Sequence, residues 1–172
     1  IDTLEVGARR VIADLREIAA LTSTPQGAQR LAWGPVWARA RRWLQDQVGQ
    51  LGLVVESDAA GNNWVTLPGA SDRTVIVGGH LDSLPNGGWL DGTLGVLVAL
   101  EALRRYRQHS MPPVTLRMVD WADEEGARFG RSLLGSSAAS GRLDVNEIRD
   151  LRDSDGIRLE DALGEHGVSL GT

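Results

Sequence analysis

The sequence predicts an α/β domain built on a mixed sheet, and three observations carry that prediction. Leu4–Leu21 and Val36–Leu51 both repeat apolar residues at helical spacing. Two apolar runs, "TVIVGG" and "VTLRMVDWA", read as buried strands on either side of a third helical stretch. Ahead of them, two shorter β-like segments are set apart by turn formers, so antiparallel and parallel pairing are both expected.

Taken in order, the first helix gathers Leu4, Ala8, Val11, Ile12, Leu15, Ile18 and Ala19, with charged residues between them. Pro25 and Gly27 interrupt regular structure and make Thr22–Arg30 a loop. The second helix places Trp37, Ala40, Trp43, Leu44 and Val48 on one face and ends at Gly49 or Gly52; both tryptophans read as packing against the sheet. Leu53–Ser57 and Asn63–Leu67, separated by "DAAGN", form a hairpin. Thr74–Gly78 is the strand predicted to be buried on both faces. A helix over Thr93–Tyr106 follows, stopped by "HSMPP", and the strand Val114–Trp121 runs directly into "DEEG". Strand, helix and strand in succession predict a βαβ unit, which places both following loops at the carboxyl ends of neighbouring parallel strands. Open α/β sheets bind ligands there. A short helix is expected near Leu133–Ser140, and the tail contains the helix-compatible "LEDALGEHG".

With 172 residues, 42% of them hydrophobic, the chain is expected to form one globular domain. Residues 142–172 read as a poorly ordered or incomplete tail. A net charge of −5 without a basic run argues against a phosphate-tracking nucleic-acid surface. No apolar run is long enough for a membrane span. The absence of cysteine removes disulfides and thiol nucleophiles and is compatible with a reducing cytoplasm, the expected location. A chain opening on Ile1 is expected to have lost something upstream.

"GGHLDSLPNGGWLDG", residues 78–92, sets His80, Asp82 and Asp91 among glycines. Two readings are open. These residue types build turns; they also hold a cation, with the glycines letting it come close. Glu124 and Glu125, with Asp120 and Asp123 nearby, follow the next strand. Carboxylates crowded at strand ends repel one another unless cations compensate, and imidazole with carboxylates suits zinc, manganese or related ions. Asn86 has two readings, turn former or substrate contact, and Trp89 two more, pocket wall or surface anchor. His109 is expected to be exposed, and His166 is not assigned as a ligand.

"GGHLDSLPNGGWLDGTLGVLVALEAL" and "VDWADEEGARFGRSLLGSSAASG" closely resemble the hydantoinase/carbamoylase amidase branch of the M20 metallopeptidase family. That branch includes N-carbamoyl-L-amino-acid hydrolases, β-ureidopropionases and allantoate amidohydrolases, and the resemblance runs from the first helix to about Gly141. It implies a partial three-layer αβα metallohydrolase catalytic domain, lacking the lid and dimerisation domain and the C-terminal return. It implies that His80 binds one of two divalent ions, Asp91 bridges them and Glu125 binds the second. Asp82 would orient the His80 ring, and Glu124 would be the general base. Zinc or manganese is the expected metal, with cobalt or nickel as alternatives. The substrate class implied is N-carbamoyl or ureido compounds; allantoate hydrolysis, M20 aminoacylase or peptidase activity, and a non-catalytic association module are the alternatives. Relatives are more than twice as long and supply two further metal-binding histidines from regions without a counterpart here. The partners implied are therefore the missing C-terminal portion, or a complementary chain, and a second copy in a full-length homodimer. The 172 residues alone are expected to bind metal weakly and turn over little or no substrate.

Overall fold

The computed structural model describes residues 7–169. The first helix, α1, spans Ala8–Thr22; Leu4, assigned to it from the sequence, lies outside the described residues. Val11, Leu15 and Ile18 are its buried apolar face, while Ile12, expected on that face, is exposed. The predicted loop Thr22–Arg30 contains a two-residue hairpin, β1 (Ser23–Thr24) against β2 (Gly27–Ala28). Helix α2 covers Pro35–Gly49, with proline in its first turn, where a missing N–H costs nothing.

Strand β3 (Glu56–Ser57) is shorter than its apolar run suggested and pairs antiparallel with β4 (Asn63–Leu67). Strand β5 (Thr74–His80), helix α3 (Thr93–His109) and strand β6 (Thr115–Trp121) form the predicted βαβ unit, with β5 and β6 parallel neighbours. Since β4 pairs antiparallel with β6, the sheet is mixed, in the order β3-β4-β6-β5.

That order corrects one expectation. "TVIVGG" predicts a strand buried on both faces, but β5 is an edge strand, with Val75 and Ile76 45% and 53% exposed. Continuous apolarity reports what a strand can be covered by; α3 packs against β5 on one side, and Val77 joins the main core, but Val75 and Ile76 are left exposed. On one face of the sheet, Val65, Leu67 and Met118 meet α1, α2 and α3 in the main core. Close packing there depends on small residues: a side chain at Gly95 of α3 would collide with the Gly78 carbonyl of β5.

A second core joins Trp33 and Trp37 to Ala122, Phe129 and Leu134, which follow β6, and to the tail. Here α4 (Leu134–Ala139), α5 (Val145–Ile148) and α6 (Leu159–Glu165) contribute Leu134, Ile148, Leu159, Ala162 and Leu163, all buried. The segment after Arg142, expected to be poorly ordered or incomplete, is thus packed through residue 168. Trp43 lies in the main core and Trp37 in the second, so the two tryptophans do not share one surface. Among the described residues no helix is long and apolar enough to cross a membrane.

Candidate active site

The βαβ unit brings the two polar segments together. His80 ends β5 in register with Trp121, which ends β6, so Asp82 and Asp123–Glu125 emerge side by side. The Asp82 carboxylate links them: its two oxygens accept the backbone N–H groups of Glu124 at 3.2 Å and Glu125 at 3.0 Å. Asp82 is 1% exposed. A buried carboxylate gripping two backbone donors fixes the loop that carries both glutamates.

Asp82 also holds His80. The ring Nδ1 lies 3.0 Å from the Asp82 carbonyl oxygen and 3.6 Å from its carboxylate, so the backbone makes the closer contact. Burial works against a charged ring, but the hydrogen bonds and charge of Asp82, with help from Glu125, outweigh it and raise the His80 pKa to about 9. Gly92, the residue before α3, has φ +61, and a side chain there would collide with the imidazole. Glycine at this position lets the start of α3 close onto His80.

Asp91, just before Gly92, is exposed. Glu125 is half-buried; desolvation raises its carboxyl pKa, His80 opposes this, and the charges of Asp91 and Asp82 raise it further. His80, Asp82, Asp91 and Glu125 therefore share one electrostatic neighbourhood. They do not close into a cage: among the described residues, no three histidine or acidic side chains are grouped as a metal would require.

Glu124 is held from α4. Ser136 Oγ lies 3.1 and 2.9 Å from its two carboxylate oxygens and donates to them, while the Glu124 carbonyl accepts the Leu133 N–H. Asp120 and Asp123, singled out by sequence proximity, are turned to structural contacts. Asp120 pairs with Arg41 at 2.8 Å and accepts the Leu81 N–H at 2.8 Å. Asp123, at φ +53, accepts Trp33 Nε1–H at 2.9 Å, and burial together with Asp82 pushes its carboxyl up to about 7.

The sequence did not point to Ser136, Trp33 or Arg41. Ser136 lies in the small-residue run "GSSAASG", whose only signal is that a helix of small residues lets a backbone approach closely. The other residues singled out from the sequence make the following contacts. Asn86 shapes its turn at φ +56 and accepts Gln29 Nε2–H at 2.8 Å. Trp89 is 39% exposed and lines a groove with the β1–β2 hairpin. His109 is exposed, and His166 packs edge-on against Trp33 and Trp37.

This is an α/β domain whose acidic and imidazole groups converge at the carboxyl ends of two parallel strands. Residues 62–161 match Peptidase family M28, and the chain belongs to that family. That family is M28 rather than the M20 that the motifs resemble, while the hydantoinase/carbamoylase amidase branch recurs among the relatives. An N-carbamoyl-L-amino acid amidohydrolase of Geobacillus stearothermophilus is 38% identical over 160 residues, covering 90% of this chain and 38% of that protein. Allantoate amidohydrolase of Bacillus subtilis is 32% identical over 152 residues, covering 87% and 37%. A crystal structure of a hydantoinase/carbamoylase family amidase from Burkholderia ambifaria superposes with a TM-score of 0.88 at 34% identity, over 95% of this chain and 41% of that one. The chain thus spans about two fifths of the length of the relatives it matches.

Proposed function

We propose that the protein to which this chain contributes hydrolyses linear ureido C–N bonds, most closely those of N-carbamoyl amino acids or β-ureidopropionate. The observation that carries the reading is the Asp82 link, which fastens the glutamate loop to the histidine strand end. Water adds across the ureido C–N bond, giving a free amine and a carbamic acid.

The donor chemistry fits divalent metal. His80 turns Nδ1 to the Asp82 carbonyl oxygen at 3.0 Å, with the carboxylate 3.6 Å away, and keeps Nε2 for a ligand bond; a carbonyl on the other ring nitrogen fixes ring orientation at metal sites. Asp91 and Glu125 supply hard oxygen donors, and cations would offset their crowded charge. His80, Asp91 and Glu125 would hold two ions, zinc or manganese before cobalt or nickel. When bound, these ions supply Lewis acidity to water and the ureido carbonyl. The chain itself supplies proton handling: Glu124 accepts a proton from the attacking water and returns it to the departing nitrogen. Ser136 holds that carboxylate in place while Asp82 keeps its loop beside His80.

Three ligand residues for two ions leave each short of the three protein ligands usual at a catalytic zinc. The remaining ligands would come from the portion of a full-length relative that has no counterpart here. That portion would dock on the open edge of β5, where Ile76, Leu90, Leu94, Val98 and Ala102 line an apolar groove. The full-length protein would act as a homodimer in the cytoplasm.

Native mass spectrometry with added zinc or manganese, paired with an assay on N-carbamoyl amino acids, β-ureidopropionate and allantoate, tests this reading. The expected result is weak metal binding and little or no turnover by the 172-residue chain, and two ions with turnover when the remaining portion is present. Efficient hydrolysis by the pure 172-residue chain would contradict the split site. A completed protein that binds two metals and cleaves no ureido substrate would overturn the proposed substrate class.

A further inference from the structure

Arg30 lies between β2 and α2, and it is fully buried, at 0% exposure. A guanidinium so placed is costly unless its donors are used. Among the described residues, its charge meets no carboxylate at ion-pair distance; the fork donates to neutral oxygens on three separate segments. Nε reaches the Leu81 carbonyl at 2.5 Å, one terminal nitrogen reaches Thr93 Oγ1 at 2.8 Å, and the other reaches Thr22 Oγ1 at 3.3 Å. The backbone is fixed as well: the Arg30 N–H donates to Ser83 Oγ at 3.1 Å, and its carbonyl accepts the Ser83 N–H at 3.0 Å.

Two of the side-chain contacts fall beside proposed metal ligands. Leu81 joins His80 to Asp82. Its carbonyl is held by Arg30 and its N–H by Asp120, which is itself paired with Arg41, so the step from His80 to Asp82 is gripped from both sides. Thr93 opens α3 two residues after Asp91, and its N–H lies 2.5 Å from the Asp91 carbonyl oxygen. One rigid planar group therefore spans the strand end that carries His80 and the turn that carries Asp91. A lysine, with one nitrogen on a flexible stem, cannot hold three diverging acceptors in fixed relative positions.

We infer that Arg30 is a positioning residue: its guanidinium fixes the spacing between His80 and Asp91, and with it the separation of the ligand groups for the metal pair. This rests on the reading of His80 and Asp91 as metal ligands. Arg30 touches neither metal nor substrate. A merely structural pin would change stability without changing the geometry around the ion.

Co2+ titration of the chain at fixed pH, followed by visible absorption, separates these roles when urea unfolding is measured in parallel. Arg30→Lys keeps the charge and loses the fork; Thr93→Val removes only the contact to α3; His80→Ala is the control for the site itself. The expected result is that Arg30→Lys folds cooperatively but binds Co2+ about tenfold or more weakly, the range seen when groups that orient metal ligands are removed. Its absorption band should shift in position and intensity, and Thr93→Val should do the same to a smaller degree. Wild-type affinity and spectrum in Arg30→Lys, with binding lost in His80→Ala, would overturn the role of Arg30 alone. If Arg30→Lys does not fold, Thr93→Val decides, and a wild-type Co2+ spectrum in that variant overturns the proposal. Wild-type binding in His80→Ala overturns the metal reading and this inference with it.

Discussion

The two sides of the candidate site differ in how completely this chain builds them. On the Asp82 side, Asp82, Asp120 and Arg30 are all at or below 1% exposure, and their hydrogen bonds join β5, β6 and the segment after β2. On the Asp91 side, the carboxylate is exposed, and Ile76, Leu94 and Val98 near it are 53%, 44% and 40% exposed. The contrast separates preorganisation from closure. A buried, satisfied network can fix a histidine and a glutamate loop in advance, whereas the other half exposes one carboxylate with apolar surface around it.

If that division is right, substitutions on the two sides should fail in different ways. The largest effect is expected at Asp120→Ala, which strands the Arg41 guanidinium in the interior without its carboxylate. Breaking a buried pair from one side costs about 3–5 kcal/mol. Urea unfolding should register it, and a change below about 1 kcal/mol would mean the pair is dispensable. Asp82→Ala comes next, because it leaves the Glu124 and Glu125 N–H groups without their acceptor, at about 1–3 kcal/mol for a donor left buried.

Asp82→Asn keeps the volume and tests the charge. The folded-state His80 pKa, raised from 6.5 to about 9, is expected to fall toward 6.5 in this variant, as followed by histidine NMR. Because the folded value is the higher one, the stability His80 contributes is fully present below pH 6.5 and is lost as pH rises through 9. Metal needs the neutral ring, so binding at pH 7 should release a proton and strengthen toward pH 9. Asp82→Asn should flatten that dependence. A wild-type chain whose metal affinity does not change over this range, while histidine NMR still places the His80 pKa near 9, would show that His80 is not a ligand.

How much of this was legible in the sequence follows the same division. His80, Asp82, Asp91, Glu124 and Glu125 stood out because they sit in glycine-rich segments at the ends of apolar runs, and the βαβ order alone brings those ends together. Asp82's grip on the Glu124 and Glu125 backbone was not legible, since a side chain that accepts from a main chain some forty residues away leaves no pattern in residue types. Ser136 and Arg30 were missed for a related reason: one looked like part of a small-residue helix, the other like the end of a polar loop. The exposure of β5 was misjudged because an apolar run shows that a strand can be covered on both faces without showing that it is. For the tail, expected to be poorly ordered or incomplete, Ile148, Leu159 and Leu163 are spaced widely enough that their shared core with Trp33 and Trp37 appears only after folding.

The smallest stability change, and the sharpest contrast, is expected at Asp91→Asn. Its carboxylate is exposed, so the substitution removes no buried contact and should change unfolding free energy by no more than about 0.5 kcal/mol. Its effect should appear in metal binding instead, if Asp91 bridges two cations as proposed, because Asn keeps the shape but replaces an anionic oxygen with a neutral amide, a poorer metal ligand. Calorimetric titration with zinc or manganese, beside urea unfolding, would place this variant opposite Asp120→Ala: nearly unchanged stability with lost affinity, against lost stability. Should Asp91→Asn retain metal binding and lose stability, the exposed side would be a structural turn, and the bridging position would have to be sought elsewhere.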